Sequence, residues 1–452
     1  MASLNILQKV QTYQKYSAAY LQNYYCFVSN ANKKFENFQN ITGNLGSSVG
    51  FKLPDRFVKS NGLMATFGGY EQRIKNISVT QSANVSFSVT NEERIFNVDK
   101  TGEQYMKEAG ASAVQEFGSG VEQDLALNAI SGVVDSFIDS QTYGQKNYLS
   151  GPYRFYRTGI TNGKIDPIGG YTELAKMITK FKTIGHASDI KVYLPDITIP
   201  NIIGTGLNQF TPKRSDETTM SWAIGKYGYP EVEYLQSNLL PTHIAGTVGN
   251  EAVNHTLTVV STNDPTGNKV TEITFSGATA SDLNAIKYGD LFESVDDVSG
   301  YPDLRWLTHI GHHVTTEPVQ FRVIADAIAG GDTNVVVKLY SGMDGYLSSV
   351  SGRNQNINTN IVAGMKFRVM PSHRAGLIIS DNALLLAMPQ LPEQSPFITA
   401  NAYDDDSGVS LRMTYGSKFG ENQKGIIYDG IWGSLAIPEY CERILLPVNS
   451  NL

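Results

Sequence analysis

Three potential metal ligands lie close together in the chain, at His309, His312 and His313. Zinc sites use histidines at short spacings, but they add a glutamate in an H-E-x-x-H arrangement or cysteines, and neither accompanies these histidines. His312 and His313 are adjacent, so on a strand their side chains would point to opposite faces. We therefore expect a solvated or packed role for the cluster and predict no metal site.

Other short motifs give equally weak signals of chemistry. Asp404, Asp405 and Asp406 precede a Ser-Gly pair, as in some calcium loops, but the spaced ligands of an EF-hand are absent, so we expect a solvated turn. The sequence has no GxxxxGK phosphate loop and no GxSxG nucleophile elbow. The two cysteines, Cys26 and Cys441, match no metal or redox spacing. We therefore predict that the protein is not an enzyme and has no catalytic residues and no cofactor.

Opposite charges are concentrated in two nearby segments. Residues 46–77 carry five basic against two acidic side chains, and residues 99–135 carry seven acidic against two basic ones. The two segments could form the halves of a contact between subunits, in which opposite charge guides register more than it adds affinity. A chance imbalance of surface charge is the alternative. The candidate contact residues are Lys52, Arg56, Lys59, Arg73, Lys75, Glu108, Glu116, Glu122 and Asp124.

The composition suits a surface that is largely covered by partner subunits. Charged residues make up 17% of the chain, below the usual level of about 25%, and there are 24 tyrosines among the 452 residues. Interface cores are depleted in lysine and glutamate and enriched in tyrosine, although a β-rich soluble protein would look similar. The net charge of −7 and the lack of a basic run argue against dedicated nucleic-acid binding. Without an apolar signal core, a bilayer-spanning stretch or a disulfide framework, we expect a reducing compartment and no membrane.

The N-terminal elements are predicted from their periodicities. Residues 1–45 form an N-terminal arm, because apolar and aromatic residues recur at three- and four-residue steps on one helix face. Residues 46–97 form an extended hairpin loop that ends in a strictly alternating strand near Val79 to Thr90, which we expect to project from the body. Three tyrosines of the arm are further candidate contacts: Tyr13, Tyr20 and Tyr24.

A long helix from about Thr101 to Phe137 dominates the next segment, residues 98–140. Apolar residues repeat there every four positions. Glycines at 110, 118 and 120 weaken the helix by roughly 1 kcal/mol each relative to alanine, so we expect a bend or close packing around them.

The remainder of the chain predicts an α/β host interrupted by a β module. Residues 141–238 begin the host, with a helix at Tyr171 to Ile184 and a strand at Ile190 to Leu194. Short β-like runs separated by turns then indicate a barrel or sandwich inserted at residues 239–366. The host resumes at residues 367–425, and residues 426–452 supply its closing strand. The predicted fold class is α+β with an inserted β-barrel-like domain.

Two C-terminal stretches carry a resemblance to a known family. They are SHRAGLIISDNALLLAMPQLP (Ser372 to Pro392) and SGVSLRMTYGSKFGENQKGIIYDGIWGSLAIPEYCERILLP (Ser407 to Pro447). With VSFSVTNEERIFNVD before the long helix and YGDLFESV in the inserted segment, they resemble the major capsid proteins of tailed bacteriophages of the Hong Kong ninety-seven fold type. The similarity is greatest to short-tailed-phage coat proteins of the gene-five type, which carry an insertion domain.

The resemblance implies a coat protein that assembles into an icosahedral shell around the phage genome. Its implied partners are further copies of itself in pentamers and hexamers, a scaffolding protein, a portal and a decoration protein, and its contents are double-stranded DNA held without sequence-specific binding. It implies assembly in the host bacterial cytoplasm and a final location in the virion capsid.

Three alternatives stay open. The first is an encapsulin-like shell around a protein cargo, and the second is a phage tail-tube or decorating protein, which would lack the long helix. The third is a metal-dependent hydrolase built on the histidine cluster.

Overall fold

The computed structural model describes a large part of the chain. The described residues are 26–32, 48–53, 57, 73–90, 102–134, 145–146, 150–184, 189–195, 198, 232–249, 256–278, 285–309, 311–329, 334–342, 344–380, 382–393, 397–403, 409–417 and 423–448. Their helices are α1 (Phe27–Asn30), α2 (Gly102–Ser131) and α3 (Tyr171–Ile184), with a 3-10 turn at Pro438–Tyr440. No helix of this part of the chain is long and apolar enough to span a bilayer.

Strands make up most of the regular structure. In the first half of the chain they are β1 (Ser48–Lys52), β2 (Ile74–Ser78), β3 (Gln81–Thr90), β4 (Val133–Val134), β5 (Gln145–Lys146), β6 (Phe155–Tyr156), β7 (Ile160–Thr161), β8 (Lys164–Ile165), β9 (Ile190–Leu194), β10 (Val232–Gln236) and β11 (Thr242–His243). In the second half they are β12 (Thr256–Thr262), β13 (Glu272–Ser276), β14 (Leu291–Ser294), β15 (Arg305–Leu307), β16 (Val314–Pro318), β17 (Gln320–Val323), β18 (Ile328–Ala329), β19 (Asn334–Tyr340), β20 (Lys366–Val369), β21 (His373–Ile379), β22 (Leu384–Ala387), β23 (Ile398–Tyr403), β24 (Ser410–Ser417), β25 (Gln423–Ala436) and β26 (Cys441–Leu446).

The long helix α2 packs across a sheet of long antiparallel strands. The sheet has the order β22-β25-β24-β23. The strand β3 also pairs with β25, along the whole length of β3. One face of α2 is fully buried against this sheet, and the Phe117 ring meets the Trp432 ring edge-to-face at 5.7 Å. Gly110 lies where a Cβ atom would stand 2.8 Å from the Tyr428 hydroxyl, so the predicted close packing at a helix glycine is observed there.

Two details of this region differ from the sequence-based expectation. The helix ends at Ser131 instead of continuing to Phe137, because Gly132 adopts a left-handed φ of 67°, the usual conformation after a helix end. The alternating strand β3 is not an arm of a projecting hairpin. Its side chains at Ala83, Val85 and Phe87 pack into the core under α2, which binds the strand to the body of the protein.

A second sheet forms the α/β part of the host. Its order is β10-β9-β21-β26-β6, with the short strand β11 also paired to β21. The helix α3 covers one face, as its apolar spacing predicts, with Leu174, Met177 and Phe181 in the core. Strand β26 lies between β21 and β6, and all six of its residues are buried. The last strand of the described residues is therefore an interior strand of the host.

The inserted segment closes into a barrel, as predicted. Its strands follow the order β13-β12-β20-β14-β17-β19, and β19 pairs back to β13, so six strands form a closed ring while β18 adds to β19. Four phenylalanines fill the centre in stacked and tilted contacts: Phe275, Phe292, Phe321 and Phe367. The barrel lies in sequence between β11 and β21, which pair with each other. Both connections therefore leave the host side by side, as an insertion requires. The domain boundaries given above stay predictions.

A small hairpin completes the described fold. Strands β1 and β2 pair antiparallel from Ser48–Ser78 to Lys52–Ile74. Leu53 and Ile77 are buried against Leu385, Leu435 and Ile437 of the host. The hairpin strands therefore lie on the body of the protein through an apolar contact.

Candidate functional site

The predicted contact residues fall into three groups by their position in the structure. Five of them lie outside the described residues: Tyr13, Tyr20, Tyr24, Arg56 and Lys59. The other seven are described, and the fold divides them into side chains that bind partners inside the chain and side chains that face solvent. Acidic and basic members occur in both groups, so charge alone does not determine their position.

Glu122 and Asp124 are interior residues and not surface acids. Glu122 is 2% exposed, and its carboxylate accepts the backbone N–H groups of Cys26, Phe27 and Val28 at 2.5–2.8 Å. Asp124 is fully buried on the same helix. The hypothesis that they present charge to a neighbouring subunit is therefore wrong for the subunit described here, because both point into its core.

Arg73 is also held within the subunit. Its Nη2 atom donates to Asp344 Oδ1 at 3.0 Å and to Glu439 Oε1 at 2.9 Å. Asp344 belongs to a turn of the barrel segment, and Glu439 lies in the 3-10 turn of the host, with its side chain 1% exposed. Arg73 therefore joins the hairpin, the barrel and the host. Burial lowers the pKa of the nearby Lys75 ammonium from its ordinary value.

Lys52, Glu108 and Glu116 remain as the exposed members of the set. Lys52 ends strand β1, and the two glutamates lie on α2, on the side away from the sheet. The predicted electrostatic contact is therefore reduced to one basic and two acidic positions among the described residues. Whether they meet a neighbouring copy stays a prediction.

Large apolar side chains are also exposed on the isolated subunit. Phe57 is 77% exposed, Ile74 52% and Phe397 50%, and Val314 and Ile427 are similarly open to solvent. Single exposed apolar residues are common on protein surfaces. Here two of them, Phe57 and Ile74, belong to the hairpin segment that the sequence assigns to contacts with neighbours.

A dense polar junction, which sequence reasoning did not find, docks the barrel on the host. Gln320 of β17 accepts the N–H of Phe155 at 2.9 Å and donates to its carbonyl at 3.1 Å, so the side chain pairs with β6 like an additional strand residue. Glu293 of β14 accepts two hydrogen bonds from Arg157, the shorter at 2.5 Å. Each of these pairs joins a barrel strand to the host segment around β6.

Two histidines stand at the point where the chain enters and leaves the barrel. His243 of β11 and His373 of β21 are cross-strand partners, with ring centroids 5.3 Å apart. His243 Nε2 lies 2.8 Å from Asp290 Oδ1 at the start of β14. His373 Nδ1 donates to the Pro371 carbonyl at 2.9 Å, which leaves its Nε2 as an acceptor facing Arg443 at 3.5 Å.

Burial of these groups shifts their pKa values. Burial, with the nearby His243 and Arg443, lowers the pKa of His373 well below its ordinary 6.5. Burial, with Arg322 beside it, lowers the pKa of the Arg443 guanidinium to about 9, and Arg443 also donates to the Ile130 carbonyl. Glu442, fully buried 3.8 Å from Arg154, has its pKa raised by burial. His373 and the strand β26 therefore place ionisable groups in a buried environment, where changes of protonation affect stability.

The described members of the chemistry-bearing motifs form no metal site. The three clustered histidines lie in the turn between β15 and β16, where His312 has a positive φ of 49°. Asp404, Asp405 and Asp406 lie outside the described residues. Within the described residues, no group of three or more His, Cys, Asp or Glu side chains is arranged to hold a metal ion. Cys26 and Cys441 are free thiols.

Comparisons with known proteins give likenesses at low sequence identity. No family model matches the sequence, and no curated protein matches it. Among solved structures, the chain is similar to one from the capsid of Ralstonia phage GP4, with 7% identity, a TM-score of 0.41 and coverage of 94% of this chain and 90% of that one. A chain of Mycobacterium phage Che8 follows with 9% identity, a TM-score of 0.38 and coverage of 93% and 90%. A chain from the capsid of cyanophage P-SCSP1u has 10% identity, a TM-score of 0.36 and coverage of 92% and 89%.

Proposed function

We propose that the protein is the major capsid protein of a tailed bacteriophage, which assembles into the icosahedral shell around the genome. The observation that carries the proposal is the order of elements. A hairpin, a long helix on a sheet, an α/β sheet, an inserted closed barrel and an interior closing strand follow one another as the family resemblance implies. The stretches that carry the resemblance correspond to β21–β22 and β24–β26, the strands that hold both host sheets together.

The proposal extends to the Hong Kong ninety-seven fold type and to the gene-five type of coat protein. On this assignment, α2 is the spine helix of the peripheral domain, and β1 and β2 belong to the extended loop. The sheet under α3 contributes to the peripheral and axial domains, and the barrel is the insertion domain. The support for this finer assignment is the quoted sequence resemblance together with the position of the barrel between β11 and β21.

The partners of the proposed coat protein are first of all further copies of itself. Heterologous contacts between copies that close into rings generate pentamers, hexamers and then a shell. Exposed apolar side chains such as Phe57, Ile74 and Phe397 give those contacts surface to bury. A scaffolding protein, a portal and a decoration protein complete the proposed set of partners, with assembly in the host cytoplasm and double-stranded DNA as the contents.

Electron microscopy of the purified full-length protein tests the proposal. A concentration series, with and without an inert crowding polymer, is stained and imaged, and the same samples are analysed by sedimentation. We expect closed polyhedral particles, or curved sheets and spirals built from the same contacts. Protein that stays monomeric throughout the series, and also when it is produced together with its scaffolding protein, contradicts a shell-forming function.

The form of the particles separates the alternatives. Straight tubes favour the tail-tube function, because rings of subunits form a tube when they stack along a straight axis, whereas a shell also curves along that axis. Shells that copurify with one enzyme, and not with DNA, favour a cargo compartment. Bound zinc in stoichiometric amount, measured by elemental analysis, would instead favour the hydrolase built on the histidine cluster.

A further inference from the structure

The barrel is joined to the host through a neck formed by residues 241–249 and 370–375. Across the neck, strands β11 and β21 pair at two positions, and Ala245 donates its N–H to Ser372 Oγ at 2.9 Å. By contrast, β21 pairs with β26 of the host at six positions. The pairing across the neck is therefore weaker than the pairing inside the host sheet, and the neck can open while β21 stays in that sheet.

A completely buried histidine, His373, lies at the centre of the neck. Its Nδ1 atom donates to the Pro371 carbonyl at 2.9 Å, and its Nε2 atom lies 3.5 Å from Arg443 Nη1 on β26. The His243 ring on β11 covers it at 5.3 Å between centroids. The two side chains that face the His373 ring are therefore an arginine and a second histidine, and neither can stabilise a positive charge on it.

The carboxylate at the neck, Asp290, is bound to other partners. It is completely buried just before β14 and contacts His243 Nε2 at 2.8 Å. It also accepts the N–H groups of Gly246 at 3.2 Å and Lys287 at 2.8 Å. Within the described residues, no carboxylate contacts the His373 ring. A proton added to His373 in the closed neck therefore has no anion to compensate it.

Two further polar groups near Arg443 do not reduce this cost. Arg322 of β17 is completely buried beside Arg443 and adds a second positive charge. The Tyr288 hydroxyl points to two carbonyls at the end of α2, at 3.1 and 3.2 Å. The low pKa of His373, which follows from burial and from the nearby His243 and Arg443, agrees with these surroundings. A proton therefore binds the ring readily only when the ring has left the site.

The other pairs between the barrel and the host do not share this sensitivity to acid. Although burial opposes ionisation, Arg157 holds the pKa of Glu293 below its ordinary value, so this pair stays charged in mild acid. Gln320, which bonds to both backbone groups of Phe155, does not titrate. Mild acid should therefore act on the neck before it acts on the docking of the barrel at β6.

We propose that His373 is a proton-operated latch, in which uptake of a proton by its ring opens the β11–β21 contact of the neck while the barrel core and the host sheet stay folded. Arg443 and His243 repel the charged ring, and Asp290 keeps its bonds to the segment that separates from β21. The latch belongs to the single subunit, so it does not depend on the proposed shell-forming function.

Hydrogen exchange of the neck amides as a function of pH tests the latch. The purified full-length protein is labelled between pH 7.5 and pH 5.0, and each exchange rate is divided into the intrinsic rate at the same pH to give a protection factor. The informative amides are those of Ala245, Gly246 and Lys287, whose acceptors are side chains at the neck. Released His373 has the ordinary pKa of 6.5, so this protection should fall by up to about tenfold for each unit below pH 6.5.

A disulfide across the neck provides a variant in which the latch cannot open. Ala375 donates its N–H to the Pro241 carbonyl, so the next pair, Thr242 with Arg374, is of the non-hydrogen-bonded type, in which the Cα atoms lie closest. Thr242→Cys/Arg374→Cys can therefore form a cross-strand disulfide. Neither residue is buried, so the variant should fold. The oxidised variant should keep its neck protection at pH 5.5, and the reduced variant should lose it as the parent does.

Two histidine variants identify the group that binds the proton. His373→Asn keeps a donor for the Pro371 carbonyl but does not titrate, so its neck protection should depend little on pH. His313→Asn is the matched control, because His313 is an exposed histidine in the turn between β15 and β16. This variant should lose neck protection in acid as the parent does.

The expected result is a loss of neck protection in acid while the amides of β26 remain strongly protected. Neck amides that are as strongly protected as those of β26 at every pH would mean that the neck opens only when the whole subunit unfolds, and this would overturn the latch. Equal pH dependence in the parent and in His373→Asn would also overturn it. If His373→Asn does not fold, the oxidised and reduced forms of the disulfide variant still decide, because equal loss of protection in both forms excludes opening at the β11–β21 contact.

Discussion

Several charged side chains of this protein are held by buried partners within the chain. Glu122 holds backbone amides, Arg73 joins two carboxylates, and Arg443 is buried between a histidine ring and a backbone carbonyl. An exposed ion pair adds little stability, whereas a buried charge that loses its partner destabilises a protein strongly. The loss of stability on substituting a charged residue should therefore increase with the burial of that residue. Substitutions at two residues measure this directly.

Replacing Glu122 by glutamine should destabilise the subunit markedly. The amide cannot supply two anionic acceptors for three N–H groups, and we expect a loss of about 2 kcal/mol in the free energy of unfolding. Urea denaturation measures it. Glu116→Gln is the matched control, because Glu116 is exposed on the same helix, and its effect should stay within about 0.5 kcal/mol. Equal effects of the two substitutions would contradict the anchoring role of Glu122.

His373 should make stability depend on pH in the mildly acidic range. Its pKa is well below 6.5 in the folded protein and near 6.5 in the unfolded chain, so below pH 6.5 the unfolded chain binds the additional proton. The contribution of this residue to the free energy of unfolding is therefore fully present above pH 6.5. Below pH 6.5 it decreases by up to about 1.4 kcal/mol for each unit by which the pH is lowered. We expect urea midpoints to decrease from pH 7.5 to pH 5.5.

His373→Asn isolates this contribution from the other histidines. An asparagine amide can still donate to the Pro371 carbonyl, but it does not titrate. The slope of stability against pH should therefore be smaller in the variant, whatever its absolute stability. Parallel slopes for the parent and the variant would show that His373 does not control the acid sensitivity.

At the scale of elements, Arg73 adds ion pairs to the apolar contact that holds the hairpin β1–β2 on the body. Truncating Arg73 to alanine leaves Glu439 buried without this partner, and we expect a destabilisation of about 3 kcal/mol. Asp344→Asn removes only the more exposed partner and should lose less than about 1 kcal/mol. Hydrogen exchange of the β1 and β2 amides should increase in the first variant much more than in the second. Equal exchange in both variants would mean that the apolar contact of Leu53 and Ile77 alone holds the hairpin.

The periodicity of the sequence correctly predicted those elements whose own apolar face or apolar run determines which side chains are buried. Helix α3 and strand β9 have the predicted bounds, because a single apolar face defines the helix and a single apolar run defines the strand. The barrel strands were predicted for the same reason. Strand β3 was placed wrongly because its partner β25 lies more than 300 residues further along the chain, and alternation alone does not identify a partner.

The candidate contact residues were harder to predict than the elements. Glu122 and Glu116 are both acids on one helix, and only the packing of residues 26–32 distinguishes the buried one from the exposed one. The apolar periodicity of α2 does not separate them, because each is adjacent to a residue of the apolar stripe, Glu116 to Phe117 and Glu122 to Val121. The docking pairs Gln320–Phe155 and His243–Asp290 gave no signal, because each joins segments that are distant in sequence.

At the scale of the whole molecule, the barrel and the host behave as a unit with several independent connections. Backbone pairing of β11 with β21, the side chain of Gln320, the Arg157–Glu293 pair and the Arg73 bridge all cross the boundary between them. They range from the buried Gln320–Phe155 pair to the exposed Arg73–Asp344 pair. If the protein forms the proposed shell, we expect a subunit built in this way to keep its shape during assembly and to meet its neighbours through the hairpin, α2 and the exposed apolar side chains.

The remaining electrostatic candidates predict how that assembly responds to charge. If Lys52 of one copy faces Glu116 of the next, then Lys52→Glu and Glu116→Lys each place like charges together. Each should raise the protein concentration needed for particle formation about three- to tenfold, as expected for a change near 1 kcal/mol per contact. Light scattering and electron microscopy measure that concentration.

The double variant Lys52→Glu/Glu116→Lys then decides whether the two residues form a pair. It restores opposite charges across every contact, so the concentration needed for assembly should return toward that of the parent, and the single-variant defects should weaken as salt screens the repulsion. Lys164→Glu, which changes the net charge equally at an exposed residue of β8, should have no such effect. Single variants that assemble like the parent, or a double variant that assembles worse than either, would remove this pair from the proposed interface and leave the exposed apolar side chains as the candidates for contacts between copies.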